Sequence, residues 1–376
     1  MVEHIRETIR CDGPVTFAWF MEQALYHPQH GYYSSGRCTI GRHGDYFTSV
    51  SVGPLFGRLL AAQFMEMWEA LGRSDDFSLV EQGAHGGELA CDVLSAAKAH
   101  HSDFYRALRY LVVEPFPILE DRQRAALARH REKVTWRKSL AHLEPFQGVH
   151  FSNELIDAMP VNVVKWTGCE WVERQVAESN GRFGFLDLPP SDDIVAGRLR
   201  DLPSPLPSDY QTELNLAVPT WIDSLAGKLS RGFVVAIDYG FPRDEYYAPQ
   251  RTAGTLRAYA NHHVVPSPLT HVGHADITSH VEWTSLVESA EASGLAVSGF
   301  ADQHHFITGL LTGPLGQEFT SSNDAKTKRA LQTLLHPGFL GMKFQFLVLA
   351  KNVGASPSLS GLRFARDFSV MADRRI

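Results

Sequence analysis

The chain of 376 residues is poor in cysteine and has no long apolar run, no surplus of positive charge and no internal repeat. Each lack removes a class of protein. Its four cysteines, Cys11, Cys38, Cys91 and Cys169, form no C-x-x-C pair and no framework of the kind that staples small secreted domains. No stretch of 18 apolar residues occurs, so no membrane-spanning helix is expected. Basic residues number 35 against 42 acidic, a net charge of -7, which argues against nucleic acid or an anionic membrane as partner. The opening Met1-Val2-Glu3-His4-Ile5-Arg6-Glu7 lacks the apolar centre of a secretion signal and is too acidic for a typical transit peptide. A reducing cytoplasm is the expected setting.

What is present reads as an α/β protein. At 44% hydrophobic and 20% charged residues the composition is that of a soluble globular chain, long enough for one large domain with insertions. The apolar run Phe77–Gln82 passes through Glu81 into Gly83-Ala84-His85-Gly86-Gly87, and a helical pattern follows to about Ala99. About twenty-five residues later Tyr110–Val113 closes on Glu114. Strand, tight glycine turn, helix N-terminus and an acid ending the second strand form the opening of a nucleoside-binding βαβ unit. Glu88 and Asp92 stand in the first turns of the helix, where they would oppose a pyrophosphate. A zwitterionic ligand such as S-adenosylmethionine suits the turn better than a dinucleotide.

Alternating strand and helix patterns continue and predict an open, mostly parallel sheet with helices on both faces. The division expected is an N-terminal helical cover (1–72), a Rossmann-like domain (73–351) with insertions at about 161–212 and 241–280, and a tail (352–376). Within it the patterns predict a strand at Val149–Ser152, antiparallel strands over 161–187 and an exposed connector at 188–209. A helix from about Thr212 to Ser230 leads to a buried strand ending at Asp238. Residues 240–280 show no regular pattern and read as a long binding loop or lid.

Several polar constellations sit at the predicted strand ends. Asn153, Glu154 and Asp157 follow the fourth strand; on a helix, acids three apart share a face and can grip a guanidinium or act as acid and base. Helix capping by Asn153 explains the same residue types equally well. Asp238-Tyr239-Gly240 faces the ligand crevice or forms a plain turn, with equal weight. Gly44-Asp45, with Thr48 and Ser49, lies on a loop able to reach over a ligand. His271-x-x-His274-x-Asp276 has metal-like spacing without a helical context or a fourth ligand, so no metal is assigned.

Taken together these segments resemble the MidA-like family of S-adenosylmethionine-dependent methyltransferases, related to the mitochondrial complex I assembly factor that methylates arginine. The likeness runs over roughly residues 5 to 351. It is carried by Gly44-Asp45-Tyr46-Phe47-Thr48-Ser49 with Phe56-Gly57, Leu79-Val80-Glu81-x-Gly83, Val113-Glu114 with Gln123, Asn153-Glu154-x-x-Asp157-Ala158-x-Pro160 and Ile237-Asp238-Tyr239-Gly240. The resemblance implies a Rossmann-like class I methyltransferase core with added elements, S-adenosylmethionine as cofactor and arginine in a protein as acceptor. The cofactor-binding set it implies is Glu81, Gly83, His85, Gly87, Glu114 and Asn153, with Gly83 and Gly87 near the methionine part and Glu114 on the ribose. Asn153, Glu154 and Asp157 would line the site near the transferring methyl, with Asp45 reaching in from the N-terminal cover. The family's turn reads Gly-x-Gly-x-Gly, and His85 replaces its middle glycine. That departure leaves two alternatives open: a methyltransferase-like binding or assembly protein with weakened or lost catalysis, and a small-molecule methyltransferase. The expected partner is a protein or small-molecule methyl acceptor; a homodimer stays open.

Overall fold

In the computed structural model, which describes residues 1–36, 48–203, 206–260, 263–321, 324–354 and 357–368, the longest apolar runs of the chain form one sheet. Helices α1 (Val2–Asp12), α2 (Phe17–Tyr26) and α3 (Leu55–Ala70) come first. Next are β1 (Phe77–Gln82), α4 (Glu88–His100), α5 (Ser102–Ala107), β2 (Leu108–Val113), α6 (Pro117–Ala126), β3 (Val134–Arg137) and β4 (Phe146–Asn153). An insertion holds β5 (Asn162–Trp166), β6 (Trp171–Ser179), β7 (Arg182–Leu188), α7 (Asp193–Arg200) and β8 (Tyr210–Leu214). The core resumes with α8 (Ala217–Lys228) and β9 (Leu229–Asp238). Then follow β10 (Gly240–Phe241), α9 (Arg243–Tyr246), β11 (Arg257–Ala260), β12 (His263–Val264), β13 (Asp276–Thr278) and β14 (Val281–Glu282). The last elements are α10 (Trp283–Ala292), β15 (Ala296–Asp302), α11 (Gln303–Leu310), α12 (Pro314–Ser321), α13 (Ala325–Leu335) and β16 (Gln345–Lys351).

The main sheet has seven strands in the order β15-β16-β9-β4-β1-β2-β3. From β3 to β9 the pairings are parallel, and β16 runs antiparallel to both its neighbours. A parallel sheet is covered on both faces, and β9 shows how. Phe233, Val235 and Ile237 enter one core with α3, α4 and α11, whereas Val234 and Ala236 enter the other with α8 and α10. Each such side chain contributes roughly 1.5–3 kcal/mol by leaving water. The chain winds from β1 out to β3 and returns to β4 on the other side of β1, so a crevice opens beyond the C-terminal ends of β1 and β4. The expected Rossmann-like sheet with helices on both faces is present.

A second, smaller core caps that end of the sheet. Ile5, Phe17, Phe20, Met21 and Leu25 of α1 and α2 pack against Val161, Val163 and Val176 of the insertion and against Ala258 and Ile277. Val15 and Val176 exchange backbone hydrogen bonds at 3.0 and 2.7 Å, which ties the N-terminus to β6. Helix α3 instead buries Leu59, Leu60 and Phe64 in the main core.

Local readings differ from the structure at definite places. Residues 210–214 form strand β8 rather than the start of a helix; Asn215 then accepts the N–H groups of Ala217 and Val218 at 3.1 and 3.3 Å, so the helix begins only there. The connector at 188–209 contains α7, capped by Asp192 and anchored by buried Val195 and Leu199. The stretch 240–280 carries α9 and the short strands β10 to β13 within longer irregular segments. Buried Glu213 pins it by accepting the N–H of Thr255 at 2.9 Å and the hydroxyl of Tyr246 at 3.2 Å.

Candidate active site

The crevice holds a cavity of about 400 Å³ whose floor is the turn after β1. Gly83 and Gly87 have φ of +83° and +85°, where a side chain is strained, and the N–H of Gly87 closes the turn on Ala84 O at 2.8 Å. A Cβ at Gly87 would stand 3.2 Å from the Cα of Gln123. His85 takes the left-handed conformation too, at φ +45°, and lines the cavity without closing it.

Gln123, fully buried on α6, organises one flank. Its Nε2 donates to the carbonyl of His85 at 2.9 Å and to Glu114 Oε2 at 2.8 Å, while its Oε1 accepts the indole N–H of Trp136 at 2.9 Å. Glu114 also accepts the N–H of Phe116 at 3.0 Å. Burial pushes its carboxyl up to about 7 despite those two donors. Glu81, beneath the turn, accepts the hydroxyl of Tyr110 at 2.7 Å and is likewise raised by burial to about 7.

At the other flank the chain leaves β4 in a turn, not a helix, so Glu154 and Asp157 do not share a helical face. Their convergence has another cause. Asp238, at the end of β9, accepts the N–H groups of Ile156 and Asp157 at 2.9 and 3.2 Å and braces the turn. Glu154 is held at φ +54°, its N–H donating to Ile237 O at 2.9 Å. Tyr239 donates its hydroxyl to Asp157 Oδ2. The carboxyls of Glu154 and Asp157 are pushed well above the usual range, first by burial, then by Asp157 in the case of Glu154 and by Asp238 in the case of Asp157, with Asp276 acting on both. Asp157 Oδ1 and Asn153 Oδ1 are buried without a hydrogen-bond partner among the described residues.

One cavity thus gathers Glu81, Gly83, His85, Glu114, Asn153 and Glu154. Gly87 shapes its turn without lining it, Asp157 lies just behind its wall, and Asp45 falls outside the described residues. Tyr26, Tyr33 and Phe116 line the same space, and none of the three is expected there from spacing along the chain. The acceptor sites left on Glu114, the buried Asn153 Oδ1, the glycine turn and the cavity size suit an adenosyl ligand with an amino-acid tail.

The sheet order, with a glycine turn at its switch point and an acid ending β2, defines a Rossmann-like methyltransferase. The chain belongs to the S-adenosyl-L-methionine-dependent methyltransferase family, whose model matches residues 59–301. It is 26% identical to the protein arginine methyltransferase NDUFAF7 homolog, mitochondrial, of Drosophila melanogaster, over 95% of this chain and 86% of that one. It is also 26% identical to NDUFAF7 of Homo sapiens, over 98% and 86%. A solved structure from Burkholderia thailandensis with S-adenosyl-homocysteine bound is similar at TM-score 0.87 and 29% identity, covering 98% of this chain and 96% of that chain. The protein is a methyltransferase with S-adenosylmethionine as its cofactor, as the resemblance implied. The curated relatives are mitochondrial proteins, which overturns the expectation of a cytoplasmic location.

Proposed function

We propose that the methyl acceptor is an arginine side chain of a protein. One observation carries this reading: at the flank of the cofactor cavity opposite Glu114, Glu154 and Asp157 are buried together, and among the described residues the groups that perturb them are other acids, an amide, a phenol and a backbone N–H, with no cation. Such a site is completed by a cationic guest able to donate several N–H bonds, and a guanidinium does so in a fixed planar fork. Both NDUFAF7 relatives are named protein arginine methyltransferases.

Bound S-adenosylmethionine supplies an electrophilic methyl group on a sulfonium. The chain's own residues do the rest. Glu114, held by Gln123 and Phe116, takes the ribose hydroxyls. Gly83 and Gly87 let the backbone approach the methionine part, and Asn153 Oδ1 offers an acceptor there. Glu154, on the cavity wall, receives N–H groups of the guanidinium, fixes one nitrogen in line and accepts the proton it loses, while Asp157 behind the wall adds negative charge. Tyr239 keeps Asp157 pointed by donating to its second oxygen.

The test is mass-spectrometric detection of methyl transfer to arginine-containing peptides, alongside calorimetry with S-adenosylhomocysteine. Glu154→Gln and Asp157→Asn should each lower kcat/KM about 100-fold or more with the cofactor affinity unchanged. Full turnover in both variants overturns the assignment.

A further inference from the structure

The acceptor flank has walls as well as carboxylates, and these come from outside the methyltransferase core. Tyr26 ends α2 and Tyr33 follows in the next turn, yet both line the cavity beside Glu154, Ala158 and Met159. Their rings stack at 5.5 Å and 27°, and the Tyr26 ring lies parallel to Phe116 at 6.4 Å and 9°. The three rings make a continuous aromatic wall. It runs from the acid cluster to the end of β2, where the N–H of Phe116 is bonded to Glu114.

The wall is locked from two sides. Tyr33 donates its hydroxyl to Asp276 Oδ1 at 2.6 Å, and Asp276 opens β13 in the second core. Tyr26 donates to Ala158 O at 2.9 Å, in the turn that carries Glu154 and Asp157. Two phenols held at their tips have little freedom to swing away, so their faces stay in place. Asp276 acts here through Tyr33 and is a positioning residue.

From this we infer that Tyr26 and Tyr33, set by Asp276, are the acceptor-selectivity element of the enzyme: a fixed aromatic slot that accepts the flat face of a guanidinium while Glu154 takes its N–H edge, with Asp157 behind it. The inference rests on the arginine reading above and adds the residues that choose the cation. A guanidinium is planar and weakly hydrated, so it stacks on a ring and still presents donors in its own plane. An ammonium is compact and strongly hydrated. It can satisfy the carboxylates only by shedding water that the rings do not replace. The slot therefore distinguishes arginine-type from lysine-type acceptors by shape and hydration, since their charge is the same. The same chemistry is offered by an arginine side chain and by a free guanidino compound.

The test is calorimetry on the full chain saturated with S-adenosylhomocysteine, titrated with methylguanidinium and separately with methylammonium. Wild type should bind methylguanidinium at least about tenfold more tightly than methylammonium. Tyr26→Leu, which removes a ring, should erase most of that ratio, and Tyr26→Phe, which keeps the ring and loses the bond to Ala158, should retain more of it than Tyr26→Leu. Asp276→Ala, which takes the acceptor away from Tyr33, should narrow the ratio by loosening that ring. Retention of the S-adenosylhomocysteine affinity in each variant reports that the fold is intact. Equal affinities for the two cations in the wild type overturn the inference, as does an unchanged ratio in Tyr26→Leu. If methylguanidinium binds as expected while no arginine peptide is methylated, the slot stands and the protein-arginine reading fails. Turnover of methylguanidine itself then identifies a free guanidino acceptor.

Discussion

Glu154 concentrates two costs in one residue. It holds a left-handed backbone, which disfavours any side chain by about 1 kcal/mol, and it places a carboxyl beside Asp157 in a buried site. Stability alone would choose glycine there. We expect Glu154→Gly to raise the melting temperature of the ligand-free protein by about 2 °C while abolishing methyl transfer. A melting temperature equal to or below wild type, followed by scanning calorimetry, would show that the strain is compensated locally. At this scale the sequence was legible in residue types but not in geometry. The acids after β4 were visible, and their convergence was ascribed to helical spacing. What brings them together is Asp238, eighty residues away, accepting two backbone N–H groups of a turn. Spacing along a chain cannot report a brace of that kind. The pairing of Tyr33 with Asp276 was illegible for the same reason: Asp276 stood out only for a metal-like spacing with His271 and His274, and its bond to Tyr33 spans 243 residues.

Among the elements, the contact of α3 with α4 sets where the glycine turn's helix can lie. Gly57 makes it possible: a Cβ there would come within 2.5 Å of Asp92 Cβ and 3.0 Å of the Val93 nitrogen. Gly57→Ala should therefore destabilise the protein by about 1–2 kcal/mol, the overpacking cost less the gain in helix propensity. A urea midpoint equal to or above wild type would contradict this. The elements of the main sheet were the easiest to read, because strands buried on both faces appear as apolar runs such as Phe233–Ile237. The short strands between 240 and 280 were not. Their order comes from a buried acid, Glu213, and from pairing across the chain, rather than from any periodicity of their own. Helices α11 to α13 lay in a stretch to which no element was assigned. Helix α11 has eight residues, too few to show a helical period, and α13 buries only Leu334.

The molecule as a whole is a sheet with a core on each face and a smaller core over its end, and the chain visits the smaller core three times. Residues 1–33 supply its helices, and the two insertions supply its sheets. Removing residues 1–33 should uncover Val161, Val163, Val176 and Ile277 together, so the truncated chain should bind a hydrophobic dye strongly and lose solubility. A monomeric truncation with wild-type dye binding would show that the smaller core stands without its helices. The interleaving has a consequence for how the protein is made. Phe17, Phe20 and Met21 emerge from the ribosome long before Ile277, the last strand residue they pack against. At roughly 5–20 residues per second, that gap of about 250 residues lasts some 12–50 s. Throughout it the apolar face of α2 has no permanent home in the growing chain, which makes that segment a natural client for chaperones.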